Sequence, residues 1–316
     1  FYLLVSGGSI ILLNYYKVNR PQNSLVVSTR NFLPIILQFT FGGLFSAFFV
    51  FYVRSAALVS SWPFMLLLLF FLVGNEFFRK HYQLITFQVP IYFIAVFSFS
   101  IFFVPVLLKS MGAFIFVLSG LASLIFIHLF MKILYRVVPN LFKKNRVSLN
   151  NSILIIFIII NILYFTNLIP PIPLSLKNAG IYHAIEKVGV TYEAQGESAK
   201  WYERLPLIST ERVHLVSGLP LYVFSSIFAP TDLNTKVVHE WQYFDVNDNK
   251  WVVSTRITYP IRGGRDAGYR GFSKKEDLFG GMWRVDIKTE RGQIIGRVRF
   301  DVEMTDALPV LEEKIL

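Results

Sequence analysis

Stretches without charge constrain this chain more than any other feature. Between Arg30 and Arg54 lie 23 residues without Lys, Arg, Asp or Glu; there are 21 between Arg54 and Glu76, 28 between Lys80 and Lys109, 22 between Lys109 and Lys132, and 30 between Arg146 and Lys177. A helix rises about 1.5 Å per residue and a bilayer's hydrocarbon core is about 30 Å thick, so about 20 apolar residues cross it. Five such windows in succession predict a multi-pass α-helical membrane domain over residues 1–169, with about six spans near 1–14, 32–53, 57–75, 86–108, 111–132 and 150–169. Phe1 opens inside an apolar stretch, so further sequence upstream is expected.

Charge divides the 316 residues into two parts. Residues 1–166 carry 12 of the 31 Lys and Arg but, of the 20 acids, only Glu76, so the net +11 belongs to this part and the remainder is neutral. Basic residues scattered between apolar runs make no face for a duplex, which excludes nucleic-acid binding as the meaning of the positive charge. The absence of cysteine excludes disulfides, thiolate metal sites and a cysteine nucleophile. Ten cations (Lys17, Arg20, Arg30, Arg79, Lys80, Lys132, Arg136, Lys143, Lys144 and Arg146) fall in alternate loops, against two, Arg54 and Lys109, in the others. By the positive-inside rule the first set is cytoplasmic and everything after the sixth span is extracytoplasmic.

Polar residues inside the apolar stretches are few. His128 and Glu76 sit near cytoplasmic ends and are expected to be wetted there, with pairing between them as the alternative. Asn161 and Gln38 are expected to bond between helices, and Gly42-Gly43 with Ser46 and Ala47 gives a face for close helix approach. No charged cluster lies at midplane depth, as a transporter's substrate site would require.

The second part begins with a Pro-rich exit, Asn167–Pro173. Ala179, Ile181, Tyr182, Ala184 and Ile185 form an apolar stripe, from which a helical connector is expected within residues 170–209. From about 210 the period becomes two. Runs such as 221–228, 237–244, 251–258, 281–289 and 294–302 are rich in β-branched and aromatic residues and separated by turn residues. They predict an antiparallel β-sandwich over 210–304, followed by a tail, 305–316. Trp241, Trp251 and Trp283 each occupy an alternating strand and are expected inside. His239 and Glu240, adjacent on a strand, must face opposite ways. Asp245, Asn247 and Asn249 imitate the start of a calcium loop, but Lys250 replaces the needed Gly and Arg256 the bidentate Glu. No pattern calls for a metal, a cofactor or a catalytic residue.

The segment 259–281 is the one candidate ligand site. Six of the 19 residues from Gly263 to Gly281 are glycine. Arg262, Arg265, Tyr269, Arg270, Phe272, Lys274 and Lys275 lie in or beside it, combining guanidinium forks for anions with aromatic faces for sugars or flat partners. The structural alternative is that Asp266, Glu276 and Asp277 pair with these cations.

Val237-Val-His-Glu-Trp241, Tyr259-Pro-Ile-Arg-Gly-Gly-Arg-Asp-Ala-Gly-Tyr-Arg-Gly-Phe-Ser273 and Gly281-Met-Trp-Arg-Val-Asp-Ile287 with Gly292-Gln-Ile-Ile-Gly-Arg297 resemble the bacterial domain-of-unknown-function 2914 family over about the last 90 residues. The resemblance implies a bacterial multi-pass protein of the cell inner membrane with a periplasmic C-terminal domain. It supplies no reaction and no site residue. The expected function is that of a non-catalytic, membrane-anchored accessory or assembly subunit. Its β domain would bind an envelope partner: a protein subunit of a membrane complex, a glycan or a lipid head group. The alternative is a membrane enzyme or transporter acting through the helical half.

Overall fold

The computed structural model describes residues 1–19, 24–55, 58–171, 173–189, 191–197, 211–230, 233–262 and 268–316. They form two compact units that divide at residues 172–173, a helical one and a β-rich one.

The helical unit contains α1 (Tyr2–Asn19), α2 (Ser24–Ser55), α3 (Leu58–Phe77), a 3-10 turn (Phe78–Gln83), α4 (Ile85–Leu108), α5 (Ala113–Val137) and α6 (Pro139–Phe165). Four stretches among the described residues are long and apolar enough to cross a membrane: Val27–Val53 of α2, then α4, α5 and α6. The expected six spans therefore become four candidates. Among the described residues the apolar part of α3, Ser61–Phe77, is shorter than these four and is not one of the candidates. In helix α1, Ser6, Gly7, Gly8, Ser9, Asn14 and Lys17 interrupt the apolar character.

Polar side chains tie these helices together. Asn14 Nδ2 donates to Gln88 Oε1 at 2.6 Å, joining α1 to α4, and Gln88 Nε2 donates to the Tyr82 carbonyl. Tyr82 donates to Asn75 Oδ1, and Asn75 Nδ2 donates to the Gln38 carbonyl of α2 at 2.8 Å. Gly42 makes that last approach available, because a Cβ there would stand 2.8 Å from Asn75 Nδ2. The interhelical partner at Gln38 is thus its backbone carbonyl. Asn161 bonds within its own helix, to the Phe157 carbonyl at 2.7 Å.

Among the described residues the β-rich unit holds eleven strands in three sheets. They are β1 (Ser175–Tyr182), β2 (Ala184–Val188), β3 (Thr191–Glu197), β4 (Glu211–Leu215), β5 (Leu221–Phe228), β6 (Asn234–Asp245), β7 (Lys250–Arg262), β8 (Tyr269–Lys275), β9 (Gly281–Thr289), β10 (Ile294–Met304) and β11 (Leu311–Ile315). The sheet orders are β1-β5-β8, β4-β10-β9-β6-β7 and β11-β3-β2. All pairs are antiparallel except β4 with β10, which run parallel, so the expected fully antiparallel arrangement is corrected there.

The boundaries expected at 210 and 304 also change. The helical connector is absent where described: β1 pairs with β5, and β2 pairs with β3. The supposed tail supplies β11, which pairs with β3. Ile181, Tyr182 and Ile185 satisfy a helical stripe on paper, but cross-strand pairing overrides that local preference. Tyr182 and Ile185 pack instead with Ala194 and Phe224 in a buried cluster.

Candidate functional site

The five-stranded sheet presents two different faces, and β6 shows why. Val237, His239 and Trp241 are fully buried on one face, with Phe300, Val285 and Ile287 of the neighbouring strands also buried. Glu240 and Gln242 point the other way, as the period of two demands.

On the inner face His239 anchors a polar network. Its Nε2 lies 2.9 Å from both Ser225 Oγ of β5 and Tyr259 Oη of β7, and these two hydroxyls are 2.6 Å apart. Its Nδ1 lies 2.8 Å from Ser273 Oγ of β8, which also accepts from Trp241 Nε1 at 3.0 Å. Rotating hydroxyls let either neutral tautomer of the imidazole find a donor and an acceptor. Burial pushes the His239 pKa down to about 3, so the ring is neutral. Gly271 makes room for this arrangement, since a Cβ there would meet the Tyr259 ring at 2.7 Å. A serine and a histidine in contact is hydrolase chemistry, yet His239 and Ser225 are both 0% exposed, so no substrate carbonyl reaches this pair. The network joins β5 and β8 of the three-stranded sheet to β6 and β7 of the five-stranded one.

The outer face carries charge. Glu240 and Asp286 are buried there, on the directly paired residues of β6 and β9. Glu240 accepts from Arg256 Nε at 2.7 Å, from Lys288 and from Gln242. Asp286 accepts from Arg297 through both oxygens, the Nη2 bond being 2.8 Å, and lies 3.4 Å from Lys288. Burial alone would raise both carboxyl pKa values. Bonds from Lys288 and Arg256 to Glu240, and from Arg297 to Asp286, outweigh it and hold both below the usual carboxylate range.

One row further along, Arg284 donates to Gln242 Oε1 at 2.8 Å and its guanidinium lies 4.2 Å from the centre of the Trp251 ring. Arg284 is paired directly opposite Arg299, an exposed residue on β10. Two like charges across a pair oppose folding, so this row presents positive charge outward. The next row holds Phe244 and Trp251, whose rings are 5.3 Å apart. It borders a cleft of about 480 Å³ that Tyr243, Phe279, Met282, Asn247 and Asp301 help to line.

Trp251 reaches this face through a bulge, which corrects its expected burial. The register between β6 and β7 shifts between Trp241 and Gln242, which pair with Thr255 and Val253 and leave Ser254 extra. That one residue turns Trp251 and Val253 outward while Thr255, Ile257 and Tyr259 stay on the inner side. Trp241 and Trp283 are buried as expected.

The seven residues singled out in sequence are not brought together as one loop. Arg262 ends β7 opposite Asn234. Arg265 and Asp266 lie outside the described residues. Tyr269, Arg270, Phe272, Lys274 and Lys275 all belong to β8, so alternate side chains diverge. Arg270 Nη1 donates to the Leu316 carbonyl at 3.0 Å, and Phe272 packs edge-on against Tyr192. Lys274 pairs with Glu276 at 2.6 Å, and no ion pair joins Asp277 to these cations among the described residues. His128 and Glu76 form no ion pair with each other among the described residues. The basic and aromatic face was missed in sequence because its members come from four strands. The signal present was the alternation of charge on 284, 286 and 288 with apolar residues on 283, 285 and 287.

Membrane-length helices joined to a β-rich unit define the class of protein. Within it, residues 234–302, from β6 through most of β10, match the family model described as Protein of unknown function (DUF2914). No curated protein matches the chain by sequence. Among solved structures, the chain is similar to an immunoglobulin-like protein from Pseudomonas aeruginosa at 9% identity, covering 41% of this chain and 96% of that one with a TM-score of 0.23. It is similar to a β-glucosidase from Listeria innocua at 15% identity, covering 32% of this chain and 16% of that one with a TM-score of 0.22. It is also similar to the alkylpurine DNA glycosylase AlkC from Pseudomonas fluorescens at 11% identity, covering 92% of this chain and 80% of that one with a TM-score of 0.25. Scores this low bear on neither fold nor function.

Proposed function

We propose that the chain is a membrane-anchored accessory subunit of the bacterial inner membrane whose β-rich unit, a sandwich of packed sheets outside the cytoplasm, binds an anionic envelope partner without catalysing a reaction. The partner is an acidic glycan or an acidic protein segment. The observation that carries this reading is the outer row of Arg284 and Arg299, with Trp251 of the next row stacked on Arg284. Buried Glu240 and Asp286 neutralise the neighbouring row, and their cations are pinned by them. Among the described residues the Arg284–Arg299 row has no carboxylate in its own register. An anion over it would relieve the like-charge pair, and the adjoining aromatic cleft suits a sugar ring or an apolar side chain.

The test uses full-length protein extracted from native membranes in mild detergent. Partners that co-elute are identified, and the same extraction is repeated with Arg284→Ala/Arg299→Ala. A charged hydrogen bond contributes about 1.5–3 kcal/mol, so the double change weakens association by one or more decades. Undiminished co-elution with an unchanged melting temperature overturns this reading of the face. Orientation is tested separately. A reporter fused after Leu316 is expected outside the cytoplasm and one within Leu141–Arg146 inside, because Lys132, Arg136, Lys143, Lys144 and Arg146 crowd the α5–α6 connection while no cation lies between Arg146 and Lys177.

A further inference from the structure

The last turns of α5 and the first turns of α6 enclose a cleft of about 400 Å³, lined by His128, Lys132, Tyr135, Lys143, Arg146 and Asn150. Helical periodicity assembles it. Residues 128, 132 and 135 follow one face of α5 at spacings of four and three, and 143, 146 and 150 follow one face of α6. Phe142, buried, and Met131, half-buried, supply an apolar wall. Lys143 Nζ stands 6.0 Å from the centre of the Tyr135 ring.

Three permanent cations and a histidine converge here without an acid. Glu76 is the sole carboxylate in the first 185 residues, and no ion pair engages Lys132, Lys143 or Arg146 among the described residues. An anion is the missing counter-charge. A guanidinium fork, two ammonium groups, an imidazole and an amide offer the donors that a tetrahedral phosphate accepts.

The two faces also say which phosphate. Continuing along α5, residue 125 lies one turn before 128, and along α6, residues 154 and 158 lie one and two turns beyond 150. Ile125, Leu154 and Ile158 are 62%, 56% and 47% exposed. Each face thus runs from cations at one end to bare apolar surface at the other, which matches a head group and its acyl chains and has no use for a free ion.

We propose that this cleft binds the phosphate of an anionic phospholipid, with the acyl chains laid along the exposed apolar faces of α5 and α6. The proposal rests on the reading of these helices as membrane-spanning.

The experiment is native mass spectrometry of the full-length protein in neutral detergent, titrated with phosphatidylglycerol or with phosphatidylcholine of identical chains. Phosphatidylglycerol is expected to bind selectively. Lys132→Gln/Lys143→Gln/Arg146→Gln should weaken it about a hundredfold, at about a fivefold loss per cation. Arg146→Gln alone should weaken it several-fold, which keeps the test open if the triple variant fails to fold. Arg136→Gln/Lys144→Gln removes nearby charge that does not line the cleft and should change affinity less than twofold. Equal binding of the two lipids, or an equal loss in the Arg136/Lys144 variant, overturns the proposal. Inorganic phosphate binding as tightly as the lipid also overturns it, since the ligand would then be the free ion. A failed membrane reading shows itself independently, as full-length protein that stays in solution without detergent.

Discussion

The two faces of the five-stranded sheet both bury polar groups, and they solve the problem differently. The inner side holds an imidazole bonded to three hydroxyls, all uncharged. The outer face holds two ionised carboxylates, each clamped by cations whose own stems cover it. Desolvating an unpaired charge between packed sheets would cost several kcal/mol, so the closed side uses neutral donors and acceptors. The open side leaves its cations in contact with water, where a partial desolvation cost is met by pairing. Neighbours in sequence, His239 and Glu240, therefore belong to different electrostatic regimes. Exposed charge on the outer face belongs to cations such as Arg256 and Arg299.

The comparison is sharpest where a whole layer is removed. A fragment of residues 211–303 keeps the five-stranded sheet but lacks β1, which pairs with β5, and the β11-β3-β2 sheet. It exposes the Phe224 cluster and should not unfold cooperatively in urea, whereas Pro173–Leu316 should. A cooperative transition in the shorter fragment would show that the inner face closes without those strands. Within the longer fragment, Trp283→Ala should cost about 3–5 kcal/mol, because the ring is 1% exposed. Trp251→Ala, on the outer face, should cost about 1 kcal/mol, the worth of its stacking on Arg284 and part of its burial. Equal losses measured in urea melts would erase the difference between the faces.

How far the sequence reveals this depends on whether the determinant is local. The helical unit is legible because charge spacing is local and a bilayer's thickness is fixed. Four of the six expected spans coincide with candidate stretches among the described residues, and Ser61–Phe77 is a shorter apolar helix there. The strands within 210–304 follow from alternation, and the opposite directions of His239 and Glu240 follow from it as well. The fate of Trp251 does not, since it depends on an extra residue at Ser254 that only the partner strand defines. Strand β1 was misread because a short apolar stripe fits two periods, and pairing with β5 decided between them. The segment 259–281 drew attention through its glycines. Its cations belong largely to a strand, with Arg270 and Lys274 already engaged, while the like-charged pair Arg284 and Arg299 arises from register across β9 and β10.

Acid should separate the faces by pH window. His239 has a folded pKa near 3 against about 6.5 unfolded, so the unfolded chain binds the extra proton between those values. Its contribution is full above about pH 6.5 and declines as pH falls, at up to about 1.4 kcal/mol per unit. Glu240 and Asp286 are depressed below the ordinary carboxylate range, so their contribution is present above about pH 4 and is lost below it. His239→Gln, which keeps a donor and an acceptor, should flatten stability between pH 4 and 6.5 and leave the steeper loss below pH 4. Denaturant melts of wild type and variant across that range read both windows. A variant whose slope matches wild type between pH 4 and 6.5 would show that His239 is not the group titrating.

A second histidine should respond in the opposite direction and more weakly. Glu197 at the end of β3 accepts from His183 Nε2 at 3.0 Å, from His214 Nδ1 at 2.7 Å and from the His214 backbone N–H at 2.6 Å, so one carboxylate fastens β3 to β4. The bond to Glu197 raises the His214 pKa, against a smaller opposing effect of burial. A base with a raised folded pKa stabilises most when protonated, so its contribution is complete below about pH 6.5 and disappears as pH rises through the higher folded value. The His214 side chain is 45% exposed, and water screens the pair to a few tenths of a kcal/mol. The protein should therefore lose about a degree of melting temperature between pH 6 and 8.5 from this source. His214→Gln, which retains the backbone bond to Glu197, should remove that small decline while preserving the acid-side slope due to His239. Melting curves of wild type and His214→Gln that run parallel from pH 6 to 8.5 would assign the alkaline change elsewhere. They would also leave Glu197 as a purely hydrogen-bonded clip between the two strands.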